Sequence, residues 1–365
     1  MQVAEINFSQ FSVLPTDDCQ RRIANAREYL GERAVILAHH YQRADVYYHS
    51  DLTGDSLKLS RLAAQTDAEM IVFCGVHFMA EVADILSDDG QAVVLPDLAA
   101  GCSMADMASL AKVKRAWREI SAVINAEEAV TPVTYINSAA DLKAFCARHG
   151  GTVCTSSNAA RVLDWAYERK EKTLFFPDQH LGRWTARTMG MTPDDMAVWD
   201  FDQPQGGLTK EEIRRAKIIL WKGFCSVHQM FRPEHIRAFR EKHPDGFVIS
   251  HPECCEEVCA LSDEVVSTEY IIKTIAAAPP NTRWLVGTEL NLVQRIAEEF
   301  KPQGKIIKFM SPTVCMCSTM ARIDPQHLAW CLESLAEGQI VNQIKVPEED
   351  AKQAKIALSS MLECT

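Results

Sequence analysis

The sequence predicts an α/β fold that consists of three similar domains. Short β-branched segments that end in polar loops alternate with helical segments, which is typical of parallel βαβ units. The predicted strands come in three successive groups, and each group leads to a loop that contains a cysteine. The repetition lies in the pattern rather than in residue identity, and it predicts three short parallel sheets.

The predicted strands follow one another in chain order. The first group covers residues 34–42, 70–77 and 92–97 and leads to Cys102. The second group covers residues 132–138, 152–158 and 173–178 and, after a longer segment, reaches Cys225. The third group covers residues 247–253, 264–268 and 284–289, and a further strand at 305–309 ends at the loop with Cys315 and Cys317.

Helical segments are predicted between the strands and at both ends of the chain. An amphipathic helix is predicted over residues 19–32, after Pro15. Near the C-terminus, one helix is predicted to start at Asp324 and Pro325 and another at residues 347–350 (PEED). Both starts place proline or acidic residues in the first turn, where the helix geometry and dipole favour them.

Residues 199–222 interrupt the repeating pattern. They read as a glycine-rich loop followed by a surface helix. A long connection of this kind either covers a functional site as a lid or is a tolerated insertion, and the insertion is the favoured interpretation.

The composition limits the classes of function. A chain of 365 residues is expected to form two or three domains. Its net charge of −11 argues against nucleic acid or an anionic membrane as the main partner. The first thirty residues contain no apolar signal segment, and no apolar run in the sequence is long enough to span a bilayer, so we expect a cytoplasmic protein. Thirteen cysteines in a reducing compartment favour metal binding or redox chemistry over disulfides.

Three of these cysteines, Cys102, Cys225 and Cys317, are candidates for one shared site. They are so far apart in the sequence that only the fold could bring them together. Three converging thiolates would leave one iron of a cubane cluster without a protein ligand, and such an iron is a Lewis acid. The spacing alone favours the simpler alternative of three separate buried thiols. The segment 254–259 (CCEEVC) offers competing ligands, although adjacent cysteines seldom bind one cluster well.

Polar residues stand at the predicted carboxyl ends of strands, where parallel α/β sheets bind their ligands. They are His39, Tyr41, Tyr135, Asn137, Ser156, Ser157, His251, Glu253, Ser267 and Thr268, with Ser56 before a predicted helix at 57–64. Helix capping is the alternative role for each serine, threonine and asparagine. Capping is compatible with anion binding, because a helix N-terminus with a hydroxyl can hold phosphate or carboxylate. These loops contain little Arg or Lys, so hydroxyls, amides and helix dipoles are expected to hold an anionic ligand.

Two pairs of residues are suited to proton transfer. His251 and Glu253 place an imidazole and a carboxylate close together. His39 and Tyr41 lie two apart, so on an extended strand end they are expected to face the same side. A buried structural histidine is the alternative for His39. No chemical role is predicted for the other histidines that end apolar segments or lie in loops, namely His40, His77, His180 and His228.

Taken in order along the chain, a set of short motifs resembles the quinolinate synthases, the iron–sulfur enzymes of bacterial NAD biosynthesis. The matching segments are 37–42 (LAHHYQ), 54–56 (GDS), 73–77 (FCGVH), 100–106 (AGCSMAD), 135–138 (YINS), 154–158 (CTSSN), 176–178 (FPD) with 181–182 (LG), 223–228 (GFCSVH), 251–253 (HPE), 267–268 (ST), 287–289 (GTE) and 317–320 (CSTM). Each motif is short, but the ordered set over residues 34–320 is highly specific.

The resemblance implies three similar three-layer αβα domains with short parallel sheets, arranged around a pseudo-threefold axis with a central 4Fe–4S cluster. The implied domains are residues 1–104 together with C-terminal helices at 321–365, residues 105–228 with the insertion at about 199–222, and residues 229–320. One cysteine from each domain would bind the cluster, namely Cys102, Cys225 and Cys317. The family pattern Cys-x-x-Met selects Cys317 rather than Cys315, since Met320 follows at the matching distance.

The resemblance also implies a reaction, in which iminoaspartate condenses with dihydroxyacetone phosphate to give quinolinate, phosphate and two waters. The implied proton-transfer residues are His39, Tyr41, His251 and Glu253. The implied substrate-binding residues are His39, Ser56, Tyr135, Asn137, Ser156, His251, Glu253, Ser267 and Thr268. An aspartate oxidase that supplies iminoaspartate is an implied partner, nucleic acid and membranes are not, and a homodimer is left open.

Three alternatives remain open at this level. One is another 4Fe–4S-dependent hydro-lyase of the aconitase kind, and the others are a non-enzymatic iron–sulfur sensor and a zinc protein. A sensor has no need for His, Tyr and Glu gathered beside a cluster. The sequence contains no dinucleotide, Walker A or serine-hydrolase fingerprint, which argues against those enzyme classes.

Overall fold

The computed structural model describes residues 6–314 and 316–364. The start of the first predicted domain, Cys315 and the final residue therefore lie outside the described residues. The described chain divides into two compact units. Unit 1 contains residues 6–102, 290–295 and 316–346, and unit 2 contains residues 103–289, 296–314 and 347–364.

Strands and helices alternate along most of the described chain. The strands are β1 (Ala34–His39), β2 (Leu52–Gly54), β3 (Met70–Cys74), β4 (Ala92–Val94), β5 (Val130–Tyr135), β6 (Thr152–Cys154), β7 (Lys172–Phe176), β8 (Met196–Trp199), β9 (Ile218–Trp221), β10 (Phe247–Ser250), β11 (Glu264–Val265), β12 (Arg283–Gly287) and β13 (Ile306–Phe309). The α-helices are α1 (Thr16–Leu30), α2 (Ala44–Tyr47), α3 (Ser56–Ala63), α4 (His77–Leu86), α5 (Ser103–Asp106), α6 (Leu110–Ser121), α7 (Ala126–Ala129), α8 (Ala140–Arg148), α9 (Ala159–Tyr167), α10 (Gln179–Thr188), α11 (Lys210–Arg215), α12 (Pro233–Lys242), α13 (Glu256–Leu261), α14 (Thr268–Ala277), α15 (Leu290–Phe300), α16 (Pro325–Ala336) and α17 (Glu348–Glu363). Short 3₁₀ helices cover Phe8–Gln10, Gly31–Arg33, Pro193–Asp195, Pro204–Gly207, His228–Met230, Lys301–Gln303 and Met320–Arg322.

Unit 1 is built around one parallel sheet with the strand order β2-β1-β3-β4. Every residue of the central strand β3 is buried, and β1 is buried over its last four residues. Such continuously apolar strands are expected in a parallel sheet, because helices cover both of its faces. The helices α1 and α16 of this unit pack together, and Arg22 forms a bidentate ion pair with Glu333 between them, with both N···O distances at 2.5 Å.

Unit 2 contains two parallel sheets. One has the order β6-β5-β7-β9-β8 and the other the order β11-β10-β12-β13. When the edge strand β8 is left out, chain order within each sheet repeats that of unit 1: the second strand lies outside the first, and the third and fourth follow on the other side. The extra strand β8 extends the first of these sheets at its edge. The predicted α/β class with several short parallel sheets is confirmed.

The predicted strand segments each contain an observed strand, but three observed strands were not predicted. The strand β2 has only three residues and follows a polar turn, so its sequence carries too little β signal. The strands β8 and β9 flank or lie within residues 199–222, the segment interpreted as an insertion. Pairing with a neighbouring strand, rather than local propensity, places these segments in the sheets.

Residues 199–222 are part of the core of unit 2. Trp199 and Trp221 are fully buried, and the ring of Phe201 stacks on Trp221 with centroids 5.4 Å apart. Gly206 has φ +66°, and a Cβ at this position would lie 2.3 Å from the Trp199 ring, so only glycine fits here. The predicted glycine-rich turn and short helix are present, the latter as α11. The segment thus extends the sheet and its core, and its interpretation as a tolerated insertion stays a prediction.

Both C-terminal helices start where the sequence predicts. Asp324 caps α16 by accepting from the amide of His327 at 2.9 Å, and Pro347 precedes α17. The helix α16 belongs to unit 1, and α17 packs against α8 and β6 in unit 2. The backbone carbonyls of Ala357 and Met361 on the buried face of α17 accept hydrogen bonds from Thr152 and Asn158.

Among the described residues, we find no helix with both the length and the apolar character that a membrane span requires.

Candidate active site

A buried carboxylate, Glu253, forms the centre of the candidate site in unit 2. It follows β10, and its side chain is almost fully buried. The hydroxyl of Tyr135, at the end of β5, donates to Glu253 Oε1 at 2.8 Å. Since β5 and β10 belong to different sheets, the carboxyl ends of the two sheets of unit 2 meet at this carboxylate.

Two histidines complete the surroundings of Glu253. The Nδ1 atom of His228 lies 3.0 Å from Glu253 Oε2, and the Nδ1 atom of His251 lies 3.9 Å from Oε1. The two imidazole rings stack on each other with centroids 4.9 Å apart. The predicted closeness of His251 and Glu253 is therefore observed, and Tyr135 and His228 join them.

His228 is the residue that the sequence prediction missed, since it was assigned a structural role only. It is fully buried, and its Nε2 atom lies 3.4 Å from the hydroxyl of Thr288. Cys225 and His228 are three residues apart, and the turn between them leads directly into a 3₁₀ helix. The Cys-x-x-His spacing was the available signal, because residues three apart on a helical turn share one side.

The electrostatics of this group favour a neutral histidine next to an ionised carboxylate. Burial lowers the pKa of His251 to about 3. Burial alone would raise the pKa of Glu253, but the nearby imidazoles of His251 and His228 and the hydrogen bond from Tyr135 lower it to about 2. The Nδ1 atom of His251 accepts from the Glu253 amide at 3.3 Å, which fits the neutral ring. Glu253 is thus held as a carboxylate, the form that a proton acceptor requires.

Asp178 is a second buried carboxyl group close to this cluster. It follows β7, and its Oδ1 atom accepts from the amides of His180 and Leu181 at 2.7 and 2.8 Å. Burial and the nearby Glu253 raise the pKa of Asp178 well above its usual range. The amide of the next residue, Gln179, donates to the Gly223 carbonyl at 3.0 Å, which ties the segment before Cys225 to the end of β7.

Several of the predicted binding residues of unit 2 stand at strand ends with polar atoms available to a ligand. The Asn137 Oδ1 atom and the Ser267 hydroxyl are buried and make no hydrogen bond to the described residues. Ser267 precedes α14 without capping it, which argues against the capping alternative at this position. Thr268 is buried in the first turn of α14, and Ser156 is partly exposed in the loop after β6.

The predicted residues of unit 1 also lie at the carboxyl end of their sheet. His39 ends β1, and its ring meets the Tyr41 ring edge-on with centroids 4.7 Å apart. The two rings lie together as predicted, but for a different reason: Tyr41 is in a turn, and its amide donates to His39 Nδ1 at 3.1 Å. Ser56 starts α3, and Asp55 rather than Ser56 caps this helix.

The three predicted cluster ligands occupy corresponding places in the chain. Counted without the edge strand β8, each sheet has a fourth strand that pairs with the third, and Cys102, Cys225 and Cys317 lie in the loops after these fourth strands, β4, β9 and β13. Each of the three is partly exposed. Other cysteines are fully buried, and burial raises the pKa of their thiols: Cys19, Cys74, Cys146, Cys154, Cys254, Cys259 and Cys331. A thiol that burial keeps protonated is a poor metal ligand, so the donor set fits a metal group at the three loop cysteines.

One group of side chains in unit 2 has donor atoms close enough to share a metal ion. Cys225, His228 and Glu253 each offer one donor atom, and these atoms lie within 4.8 Å of one another. The buried Glu253 group and one predicted cluster ligand are thus neighbours.

These features define the chain as an α/β enzyme with a buried acid–base cluster at the carboxyl ends of parallel strands, beside a thiol that can bind metal. Comparison with known proteins specifies the family. Residues 21–363 match the family model described as quinolinate synthetase A protein. The chain belongs to the quinolinate synthase family.

Individual relatives are similar over nearly the whole chain. The quinolinate synthase of Rhodopirellula baltica is 54% identical over 361 residues, which covers 96% of this chain and 91% of the relative. The quinolinate synthase of Streptomyces coelicolor is 55% identical over 351 residues, covering 95% and 89% of the two chains. The quinolinate synthase of Herpetosiphon aurantiacus is 52% identical over 363 residues, covering 99% and 96%. The family predicted from the motifs is confirmed.

Proposed function

We propose that this chain condenses iminoaspartate with dihydroxyacetone phosphate to give quinolinate, phosphate and two waters. Membership of the quinolinate synthase family supports the reaction. The observation in the fold that supports it most is the buried group around Glu253, with a tyrosine hydroxyl and two imidazoles within 4 Å of the carboxylate. Condensation to an aromatic ring requires repeated proton removal and loss of water, and such a group can perform both.

A 4Fe–4S cluster is the proposed cofactor, and Cys102, Cys225 and Cys317 are its proposed ligands. Their matching position after the fourth strand of each sheet and their partial exposure support this choice. When bound by three thiolates, such a cluster supplies an open iron that acts as a Lewis acid on a hydroxyl or carboxylate.

Proton transfer is assigned to four residues. Glu253 is the proposed base, because its carboxylate is ionised and held by Tyr135 and His228. His251 is neutral and orients the loop of Glu253 through the amide hydrogen bond. His39 and Tyr41 are the proposed second pair, since the imidazole and the phenol lie in contact at the end of β1. The four act on enolisation, imine formation and dehydration.

Substrate oxygens are proposed to be held by hydroxyl and amide groups rather than by Arg or Lys. The proposed binding residues beyond His39, His251 and Glu253 are Ser56, Tyr135, Asn137, Ser156, Ser267 and Thr268. Ser56 and Thr268 start α3 and α14, where the amide groups and the helix dipole favour phosphate or carboxylate. The buried Asn137 Oδ1 atom and Ser267 hydroxyl, which make no hydrogen bond to the described residues, support a polar ligand at these positions.

We further propose that the three sheets are the cores of three similar domains, as their shared strand order supports. The boundaries predicted from the sequence, the pseudo-threefold arrangement, the supply of iminoaspartate by an aspartate oxidase and a homodimer remain predictions.

Anaerobic cysteine replacement tests the cofactor and the activity together. Cys102→Ser, Cys225→Ser and Cys317→Ser are expected to lose the cluster, as measured by iron and sulfide content, and to form no quinolinate. Cys255→Ser is the matched control, because this thiol is also partly exposed but does not follow a fourth strand. A full cluster in any of the three variants, or its loss in the control, would contradict the proposed ligand set.

A further inference from the structure

The group Cys225, His228 and Glu253 has the composition of a mononuclear metal site. A thiolate, an imidazole and a carboxylate are the three ligand types that Zn²⁺ takes from proteins, and three protein ligands with an open fourth position are usual for non-structural sites. All three donor atoms lie within 4.8 Å of one another, and all three residues belong to unit 2.

The distances within the group fit one small ion. His228 Nδ1 and Glu253 Oε2 are 3.0 Å apart. Neighbouring nitrogen and oxygen ligands of a tetrahedral ion with bonds of about 2.0–2.1 Å are separated by roughly 3.3 Å. An ion therefore needs only a small outward movement of these two atoms, and the sulfur of Cys225 is within reach as the third ligand.

His228 and Glu253, the two buried ligands, each have a further polar partner that orients the side chain. The other ring nitrogen of His228, Nε2, lies 3.4 Å from the Thr288 hydroxyl, and the other oxygen of Glu253, Oε1, accepts from Tyr135 at 2.8 Å. Partners of this kind fix the ring orientation and the carboxylate orientation at metal sites, and removing one typically lowers affinity by about 10–100-fold. The site is thus organised before any ion binds.

The charges also balance. A divalent ion bound by one thiolate, one carboxylate and one neutral imidazole forms a group with no net charge. This matters because His228 and Glu253 are almost fully buried, and a buried unpaired charge is strongly unfavourable.

We propose that the protein without its cluster binds one divalent first-row transition ion, such as Zn²⁺, at Cys225, His228 and Glu253. The proposal rests on the proposed function in one respect, because it takes Cys225 as a cluster ligand. The same thiolate would then bind either the single ion or the cluster. An ion at this site withholds Cys225 from cluster assembly and occupies the proposed base. Zn²⁺ therefore inhibits loading of the cluster rather than competing with substrate.

Titration of the cluster-free full-length protein with Co²⁺, under anaerobic conditions and with a phosphine reductant, tests the site. The expected result is one equivalent with a single thiolate-to-cobalt charge-transfer band and a tetrahedral ligand-field spectrum. The band is expected to persist in Cys102→Ser and Cys317→Ser and to vanish in Cys225→Ser. Loss of the band in all three serine variants, or its persistence in Cys225→Ser, overturns the proposal.

Variants of the buried residues separate ligation from folding. Glu253→Gln and His228→Gln are expected to weaken Co²⁺ binding at least tenfold, and Thr288→Val, which keeps all three ligands, by about tenfold. His180→Gln is the matched control, because His180 is a nearby histidine outside the group, and it should leave the affinity unchanged. Unaltered affinity in Thr288→Val and in Glu253→Gln, with circular dichroism spectra like the wild type, overturns the proposal.

The same variants distinguish this site from the proposed cofactor. Iron and sulfide are measured in Cys102→Ser and Cys317→Ser after reconstitution. Cluster loss together with an intact Co²⁺ site agrees with both proposals. A full cluster in these variants contradicts the proposed cluster ligands but not the single-ion site. Equal rates of cluster assembly with and without bound Zn²⁺ in the wild type contradict the proposal that the ion withholds Cys225 from the cluster.

Discussion

Replacing Glu253 with Gln separates proton transfer from binding at the candidate site. Glutamine keeps the size of the side chain and can still accept from the Tyr135 hydroxyl, which now lies 2.8 Å from Oε1. It carries no negative charge at the position of Oε2, which lies 3.0 Å from His228 Nδ1, and it cannot accept a proton as the carboxylate can. The variant therefore removes the charge and the base and leaves the shape of the site.

The expected loss in turnover follows from the role of the base. General acid–base groups typically contribute about 10²–10⁴-fold, or roughly 3–5 kcal/mol of barrier at about 1.4 kcal/mol per decade. We expect kcat to fall at least about a hundredfold, while the cluster content and the KM for dihydroxyacetone phosphate change little. The measurement is steady-state formation of quinolinate, with iron content determined in parallel.

Glu257→Gln is the matched control, because Glu257 is an exposed carboxylate four residues further along the same segment. It should retain wild-type turnover. Turnover of Glu253→Gln within a few fold of the wild type, with a full cluster, would refute the assignment of Glu253 as the base. It would leave the carboxylate as a buried structural partner of Tyr135 and His228.

Three further predictions follow from buried groups. Lys143→Met should raise the apparent KM about tenfold in steady-state assays. The fully buried ammonium donates to the carbonyl and hydroxyl of Ser138, next to Asn137, and hydrogen bonds to charged groups contribute about 1.5–3 kcal/mol. An unchanged KM would contradict this role. Burial lowers the pKa of His180 to about 4, so the unfolded chain binds more protons than the folded chain between about pH 6.5 and 4, and stability falls as the pH falls through this window. His180→Asn should therefore make the thermal midpoint less dependent on pH. The same pH dependence in the variant and the wild type would contradict this. Trp199→Ala should destabilise unit 2 by about 3–5 kcal/mol in denaturant unfolding, and a loss below about 1 kcal/mol would show that residues 199–222 do not belong to its core.

Local sequence patterns predicted much of the fold. Proline and acidic residues marked the starts of α16 and α17, and β-branched segments marked the strands at the centres of the sheets. The strands β2, β8 and β9 escaped prediction because pairing with a neighbouring strand defines them. The position of α17 against α8 also depends on distant packing, which a local pattern does not record.

At the candidate site, too, local sequence patterns predicted some residues but not the contacts between distant segments. Glu253 and His251 were predicted because they are close in sequence and follow a strand. Tyr135 was predicted at a strand end, but its hydrogen bond to Glu253 spans 118 residues and requires the fold. His228 was missed because an isolated histidine after an apolar segment gives no sign of a carboxylate from another sheet. Only the meeting of the two sheets of unit 2 reveals its role.

The proposed condensation is tested most directly with isotopically labelled substrate. The reconstituted enzyme is incubated without oxygen with iminoaspartate and dihydroxyacetone phosphate that is fully labelled with carbon-13, and quinolinate is analysed by mass spectrometry. The account predicts that every labelled carbon of the triose enters quinolinate and that one phosphate is released for each quinolinate formed. Protein with a full cluster that yields unlabelled quinolinate, or none, would contradict it.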